Sequence, residues 1–82
     1  MAGMTSIADA ERAQKRVREK FGRLDGVRGI GVTWNDSGDA WIRVNVERHL
    51  RDAVSKLIPA EFDGVAIELR SMRDFKSFSG AR

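Results

Sequence analysis

An alternating segment in the middle of the chain most strongly limits its fold. Residues 41–47 read WIRVNVE, in which every second side chain is aliphatic. A period of two is typical of a strand that buries one of its faces. The earlier run Val27–Trp34 is separated from it by the turn-forming residues NDSGD at 35–39, so the two runs predict a β-hairpin. Because one face is apolar and the other polar, we expect the sheet to be covered on one side only.

A first helix is predicted before this hairpin, over about Ile7–Arg23. Ser6, with Asp9 three residues later, resembles a capping box at its start. A glycine suits a left-handed exit near Asp25–Gly26. Apolar residues recur at helical spacings of three and four, and we expect them to face the sheet: Ile7, Ala10, Ala13, Val17, Phe21 and Leu24.

The second half of the chain predicts another helix and a third strand. The helix covers about Leu50–Leu57 and ends before Pro59, because the residue preceding a proline is pushed out of helical geometry. Residues 60–64 form a loop anchored by Phe62, and Val65–Arg70 alternates again. The fold class is therefore α+β, a single small domain of order α-β-β-α-β with two helices on one face of a three-stranded sheet. The third strand lies either beside the second and parallel to it, or beside the first.

The predicted boundaries divide the chain into three parts. Residues 7–70 form the domain, residues 1–6 a ragged N-terminus and residues 71–82 a basic aromatic tail. Solvated tails are poor in aromatic residues, yet this one contains two of the four phenylalanines. We therefore expect residues 72–78 to dock, either beside the open sheet face or on a second chain, through two side chains: Phe75 and Phe78. The alternative is an unstructured end, because chain termini fray by default.

Few groups in the chain could perform acid–base or metal chemistry. It contains no cysteine, no tyrosine and one histidine, which excludes disulfide scaffolds, thiolate metal sites and thiol nucleophiles. His49 has Glu47 and Asp52 nearby in sequence, but a metal site needs three or four ligands at defined spacing. We expect no catalytic residue, no metal, no cofactor and no small-molecule ligand, and a protein that is not an enzyme.

Two glycine patterns resemble ligand-binding loops without their structural context. Gly29 and Gly31 lie inside a predicted strand, whereas a dinucleotide fingerprint lies between a strand and a helix. Gly26 and Gly29 match the G-x-x-G of KH domains, which there joins two helices and clamps RNA. Alternating glycines in a strand instead mark close approach to the backbone. Either the side chains of Arg43 and Asn45 lie across them, or another molecule does.

The leading functional hypothesis is a non-enzymatic interaction or accessory module. Trp41 is predicted on the polar face of the sheet, with Arg43, Asn45 and Arg70 around it, and tryptophan and arginine are enriched at protein–protein hot spots. A chain of 82 residues buries little more than half of its unfolded surface. Pairing with another copy would add to its stability, so we expect a homo-oligomer or another protein partner.

The alternative hypothesis is binding of RNA or another polyanion. The formal net charge is +3, and phosphate contacts would make such binding salt-dependent. Its candidate residues form one row on the first helix and continue in the tail: Arg12, Arg16, Lys20, Arg73 and Lys76.

The N-terminal residues carry no predicted targeting signal. Residues 1–10 read MAGMTSIADA, without a positively charged start or a long apolar run. We expect a cytoplasmic protein that does not associate with membranes.

Four short segments resemble a small α/β region near the N-terminus of certain bacterial trypsin-like peptidase proteins. They are the charged helix Glu11–Leu24, V-x-G-I-G-V at Val27–Val32, V-x-V-E-R at Val44–Arg48 and I-P-A-E-F-D-G-V at Ile58–Val65. The resemblance covers about residues 9–72 and includes no catalytic Ser, His or Asp of a peptidase. It implies that this chain is a free-standing, bacterial version of that accessory module.

Overall fold

The computed structural model describes residues 5–72 and has two α-helices and four strands in that range. A single turn of 3₁₀-helix, Arg48–Leu50, precedes the second α-helix. The fold is a small α+β domain, as the sequence predicts. In chain order the elements are α1 (Ile7–Phe21), β1 (Val27–Trp34), β2 (Ala40–Glu47), α2 (Arg51–Ser55), β3 (Glu61–Phe62) and β4 (Val65–Met72).

The strands form one mixed sheet in the order β1-β2-β4-β3. β1 is antiparallel to β2, with Val32 opposite Ile42, and β4 is parallel to β2, with Ile67 opposite Ile42. The predicted hairpin is confirmed. Of the two positions that the sequence left open for the last long strand, the structure has the parallel one beside β2.

The prediction of three strands and of an α-β-β-α-β order is wrong by one strand. β3, which the sequence assigns to a loop, pairs with β4 through Glu61 opposite Ala66 and Phe62 opposite Val65. Asp63 and Gly64 join the two strands with positive φ angles of 54° and 80°, the backbone of a tight two-residue hairpin turn. A two-residue strand is too short to show alternation, so its sequence carries no strand signal.

The hydrophobic core lies between α1 and the sheet. In β2 the predicted alternation of buried and more exposed residues is complete. Its four apolar residues are almost inaccessible to solvent, and the residues between them are half-buried. The aromatic rings of Phe21 and Phe62 pack edge to face, with centroids 6.2 Å apart. The buried apolar residues are Ala10, Ala13, Val17, Phe21, Ala40, Ile42, Val44, Val46, Val54, Ile58 and Val65.

The first helix starts where the sequence predicts and ends slightly earlier. The Ser6 hydroxyl accepts a hydrogen bond of 3.1 Å from the backbone N–H of Asp9, which confirms the N-cap. The helix ends at Phe21, and the left-handed glycine follows as Gly26, with φ of 95°. A β-carbon there would lie 2.8 Å from that of Leu50, so this turn also lets the chain pass close to the second helical segment.

The second helix is shorter than predicted. Regular α-helix covers only Arg51–Ser55, and its side chain in the core is Val54. Leu57, which falls within the range predicted for this helix, lies beyond its end and is 58% exposed. Because Leu57 lies outside the helix, helical spacing does not determine which way its side chain points.

Both ends of the described segment extend past the predicted domain boundaries. The backbone of Thr5 receives a 2.9 Å hydrogen bond from the N–H of Ala40 and donates one to the Asp39 carboxylate. Ser71 and Met72 belong to β4. None of the helices in this part of the chain is long and apolar enough to cross a membrane.

Candidate interaction surface

Four of the predicted interaction residues lie together on the open face of the sheet, the face opposite α1. Trp41, Arg43 and Asn45 alternate with the buried residues of β2, and Arg70 of β4 lies opposite Asn45. The structure thus brings these four residues together as predicted. The other two candidates, Phe75 and Phe78, lie outside the described residues.

A glutamate that the sequence did not mark as a site residue connects this group. Glu68 lies opposite Arg43 across β2 and β4. Its Oε1 accepts hydrogen bonds from the Trp41 indole N–H at 2.9 Å and from Arg43 Nε at 3.2 Å. The hydrogen bond from Trp41 is the largest cause that lowers the pKa of Glu68, and Arg43 and Arg70 lower it further against the opposing effect of burial. The parallel register, which the sequence left open, is what brings Glu68 beside both donors.

Trp41 is therefore partly covered by its own domain and hydrogen-bonded to it. It is half-buried, and its indole N–H has an acceptor within residues 5–72; contact of Trp41 with a partner or with the tail stays a prediction. Any partner placed on this face would also have to remove the Arg43–Glu68 ion pair from water, which costs free energy.

The glycines of β1 form the flat part of the open face. A β-carbon at Gly29 would lie 3.6 Å from the Asn45 amide nitrogen, so that side chain is in ordinary contact with the glycine. A β-carbon at Gly31 would have no described atom within 4 Å apart from those of its two chain neighbours. Of the two predicted reasons for these glycines, cover by a neighbouring strand's side chain applies to Gly29 alone.

The outer edge of β1 is half protected by α1. β1 is the end strand of the sheet, and an end strand presents unpaired backbone groups that can pair with another chain. The carbonyl oxygen of Ile30 accepts hydrogen bonds of 2.9 Å from both Gln14 Nε2 and Arg18 Nη2. Within residues 5–72 no comparable side chain bonds the backbone of Val32 or Trp34.

Among the aromatic residues that the structure describes, Trp34, at the end of this edge, is the one left exposed. Its register opposite Ala40 places it on the apolar side of the hairpin. Trp34 is nevertheless 56% exposed, so its position on that side does not bury it. Within residues 5–72, no strand pairs with the outer side of β1. Ile7, which the sequence predicts to face the sheet, begins α1 at this end and is 38% exposed.

The basic row on α1 carries counter-charges. Arg12 pairs with Asp9 one helical turn earlier, and Arg16 Nη1 lies 3.1 Å from the Asp63 carboxylate in the β3–β4 turn. These carboxylates reduce the charge that Arg12 and Arg16 present to a polyanion. Arg73 and Lys76, the tail residues of the same hypothesis, lie outside the described part of the chain, and Lys20 lies on α1 beyond Arg16.

A cleft of about 390 Å³ opens between the start of α1 and the β3–β4 turn. Its wall includes both of these ion pairs, above an apolar floor of Ala13 and Val65. No three His, Asp or Glu side chains among the described residues come together as metal ligands. His49 is exposed, and its Nε2 lies 3.7 Å from Oε1 of Glu47.

No protein-family model matches the chain, and no curated protein and no solved structure matches it significantly. The resemblance to the peptidase accessory region therefore stays a prediction.

Proposed function

We propose that this chain is a non-enzymatic interaction module that self-associates, and that its contact surface is the uncovered end of β1. The observation that carries the proposal is the 56% exposure of Trp34 on an edge strand. Tryptophan buries a large apolar area when it is covered, and it is enriched among the residues that dominate binding energy. An exposed tryptophan beside unpaired backbone groups supplies both an apolar contact and hydrogen bonds.

The two tryptophans favour this end over the open face. Trp41 has its N–H bonded to Glu68 and is half-buried, so it has less surface to gain from a partner. Covering Trp34 removes more apolar surface from water, and none of the ion pairs of the described residues involves residues 31–34.

The charge distribution favours a protein partner over a polyanion. Asp9 and Asp63 neutralise two arginines of the proposed anion-binding row. Binding through apolar contact and backbone hydrogen bonds should depend little on ionic strength, whereas polyanion binding weakens steeply as salt rises.

The test compares two substitutions of nearly equal exposure. Trp34→Ser removes the proposed contact, and Leu57→Ser, at 58% exposure on a different part of the surface, is the matched control. Sedimentation velocity over about a hundredfold range of concentration should show association of the wild type and of Leu57→Ser, but not of Trp34→Ser. The melting temperature should rise with concentration in the same two proteins, because mass action stabilises a fold that associates.

A wild-type chain that sediments as a monomer over that whole range would overturn the proposal. Association that persists in Trp34→Ser would place the contact elsewhere. Salt-dependent binding of a single-stranded RNA by a monomeric protein would favour the polyanion hypothesis instead.

A further inference from the structure

We propose that two copies of the chain pair antiparallel through their β1 edges, about a two-fold axis at Thr33, so that the two sheets become one. This inference rests on the proposed function and specifies the partner segment and its register. It follows from the direction of the backbone groups of β1, from the side chains that protect half of that edge, and from the charges at its two ends.

The register of the hairpin shows which backbone groups of β1 face outward. The N–H of Asn35 bonds the Asp39 carbonyl at 3.0 Å, and hydrogen-bonded pairs recur at every second residue of an antiparallel ladder. Thr33 and Gly31, opposite Trp41 and Arg43, therefore direct their N–H and C=O groups toward β2. The residues between them direct these groups to the free side: Ile30, Val32 and Trp34.

The protection of Ile30 limits the registers that a second copy can adopt. Its outward carbonyl already holds Gln14 and Arg18. A two-fold axis at Gly31 or Val32 would place Ile30 within the new ladder, and both side chains would have to leave. With a two-fold axis at Trp34, only Trp34 would pair with its own copy, because Val32 would lie opposite the hairpin turn of the second copy.

An axis at Thr33 satisfies the unprotected groups and leaves the protected one intact. Val32 then exchanges backbone hydrogen bonds with the partner's Trp34, and Trp34 with the partner's Val32. These side chains share the apolar side of the sheet, so each indole ring gains an aliphatic neighbour. On the open face Thr33 lies beside its own copy, a favourable cross-strand pair.

The same register joins opposite charges. Ile30 comes opposite Asp36 of the partner subunit's turn, and Arg18 is fixed beside the Ile30 carbonyl. The acidic turn of one copy thus approaches the basic side chain of the other, and the two-fold axis repeats this contact. The contact is short, so it lies at the small end of interface sizes and should dissociate on dilution.

A single introduced cysteine tests the register, since the chain has none of its own. Facing residues that do not share a ladder hydrogen bond have Cα atoms about 4.5 Å apart, within the range that a disulfide spans. Thr33→Cys should therefore form a disulfide-linked dimer under oxidised glutathione. Gly31→Cys is the matched control: it lies on the same face and strand with open space around it, but its two copies would be about 14 Å apart along the strands.

The rate of dimer formation on a non-reducing gel is the readout. We expect Thr33→Cys to cross-link at least about tenfold faster than Gly31→Cys, and addition of Trp34→Ser to abolish the difference. Equal rates, or a faster Gly31→Cys, would overturn the Thr33 register. Sedimentation of the unmodified chain distinguishes the self-association proposal from the Thr33 register. If the chain associates but Thr33→Cys does not cross-link, only the register is refuted. Circular dichroism of the reduced variants checks that each one is folded.

Discussion

The two strands of the hairpin have equal length and similar patterning, yet they occupy very different environments. β2 lies between β1 and β4, and its aliphatic side chains are completely buried. On its other face, Trp41 and Arg43 share the Glu68 carboxylate. Among the described residues, β1 has a neighbouring strand on one side only, its apolar residues are partly covered, and Trp34 is exposed. The position of a strand in the sheet, more than its own residues, decides how much of its apolar pattern is buried.

Two isoleucines on the same side of the sheet measure this difference most directly. Ile42→Ala in β2 should lower the free energy of unfolding by about 2–5 kcal/mol, because it opens a cavity in a fully buried site. Ile30→Ala in β1 removes a half-buried side chain and should cost about 1–2 kcal/mol.

Denaturant unfolding at low protein concentration, where association contributes little, provides these values. Ile42→Val, which should cost about 0.5–1.5 kcal/mol, serves if Ile42→Ala does not fold. Equal losses at the two positions would contradict the distinction between centre and edge.

Two glycines extend the comparison to the backbone before and within β1. Gly26→Ala should cost about 2–3 kcal/mol, because a positive φ of 95° is strained for alanine and its β-carbon would lie 2.8 Å from that of Leu50. Gly31 has no positive φ and open space around it, so Gly31→Ala should be neutral or stabilise by up to about 1 kcal/mol.

Thermal unfolding checks both glycine variants, since about 1 kcal/mol corresponds to a shift of 4–8 °C in Tm for a domain of this size. A similar loss at both positions would indicate that the open face over Gly31 is covered in the folded protein.

The sequence predicts the elements of this fold better than their environments. The period of two in β2 and the capping of α1 by Ser6 depend on local chemistry, and both predictions are confirmed. The exposure of Trp34 depends on which strand lies at the edge, and that is a property of the whole sheet. The same holds for Glu68, because only the parallel pairing of β2 and β4 places it beside Trp41. The sequence does not predict β3, because a strand of two residues is too short to show a period.

The smallest expected effect concerns the polar face of β2 and its dependence on pH. The pKa of Glu68 is lowered in the folded protein, first by the Trp41 hydrogen bond and then by the hydrogen bond and charge of Arg43. A carboxyl group whose folded pKa lies below its unfolded pKa stabilises the fold at pH values above the unfolded pKa, and this stabilisation is lost as the pH falls through the folded pKa.

Stability should therefore decrease on acidification more steeply in the wild type than in Glu68→Gln, which cannot titrate. Trp41→Phe keeps a ring but removes the donor, so its loss should be intermediate. Trp34→Phe, an equivalent change on the edge strand, should behave as the wild type does, because Trp34 lies away from Glu68. Urea unfolding between about pH 6 and pH 3 measures the four slopes, and the other carboxylates contribute alike to all four proteins. Identical slopes in the wild type and Glu68→Gln would contradict the claim that Trp41 and Arg43 stabilise the ionised Glu68 carboxylate in the folded protein.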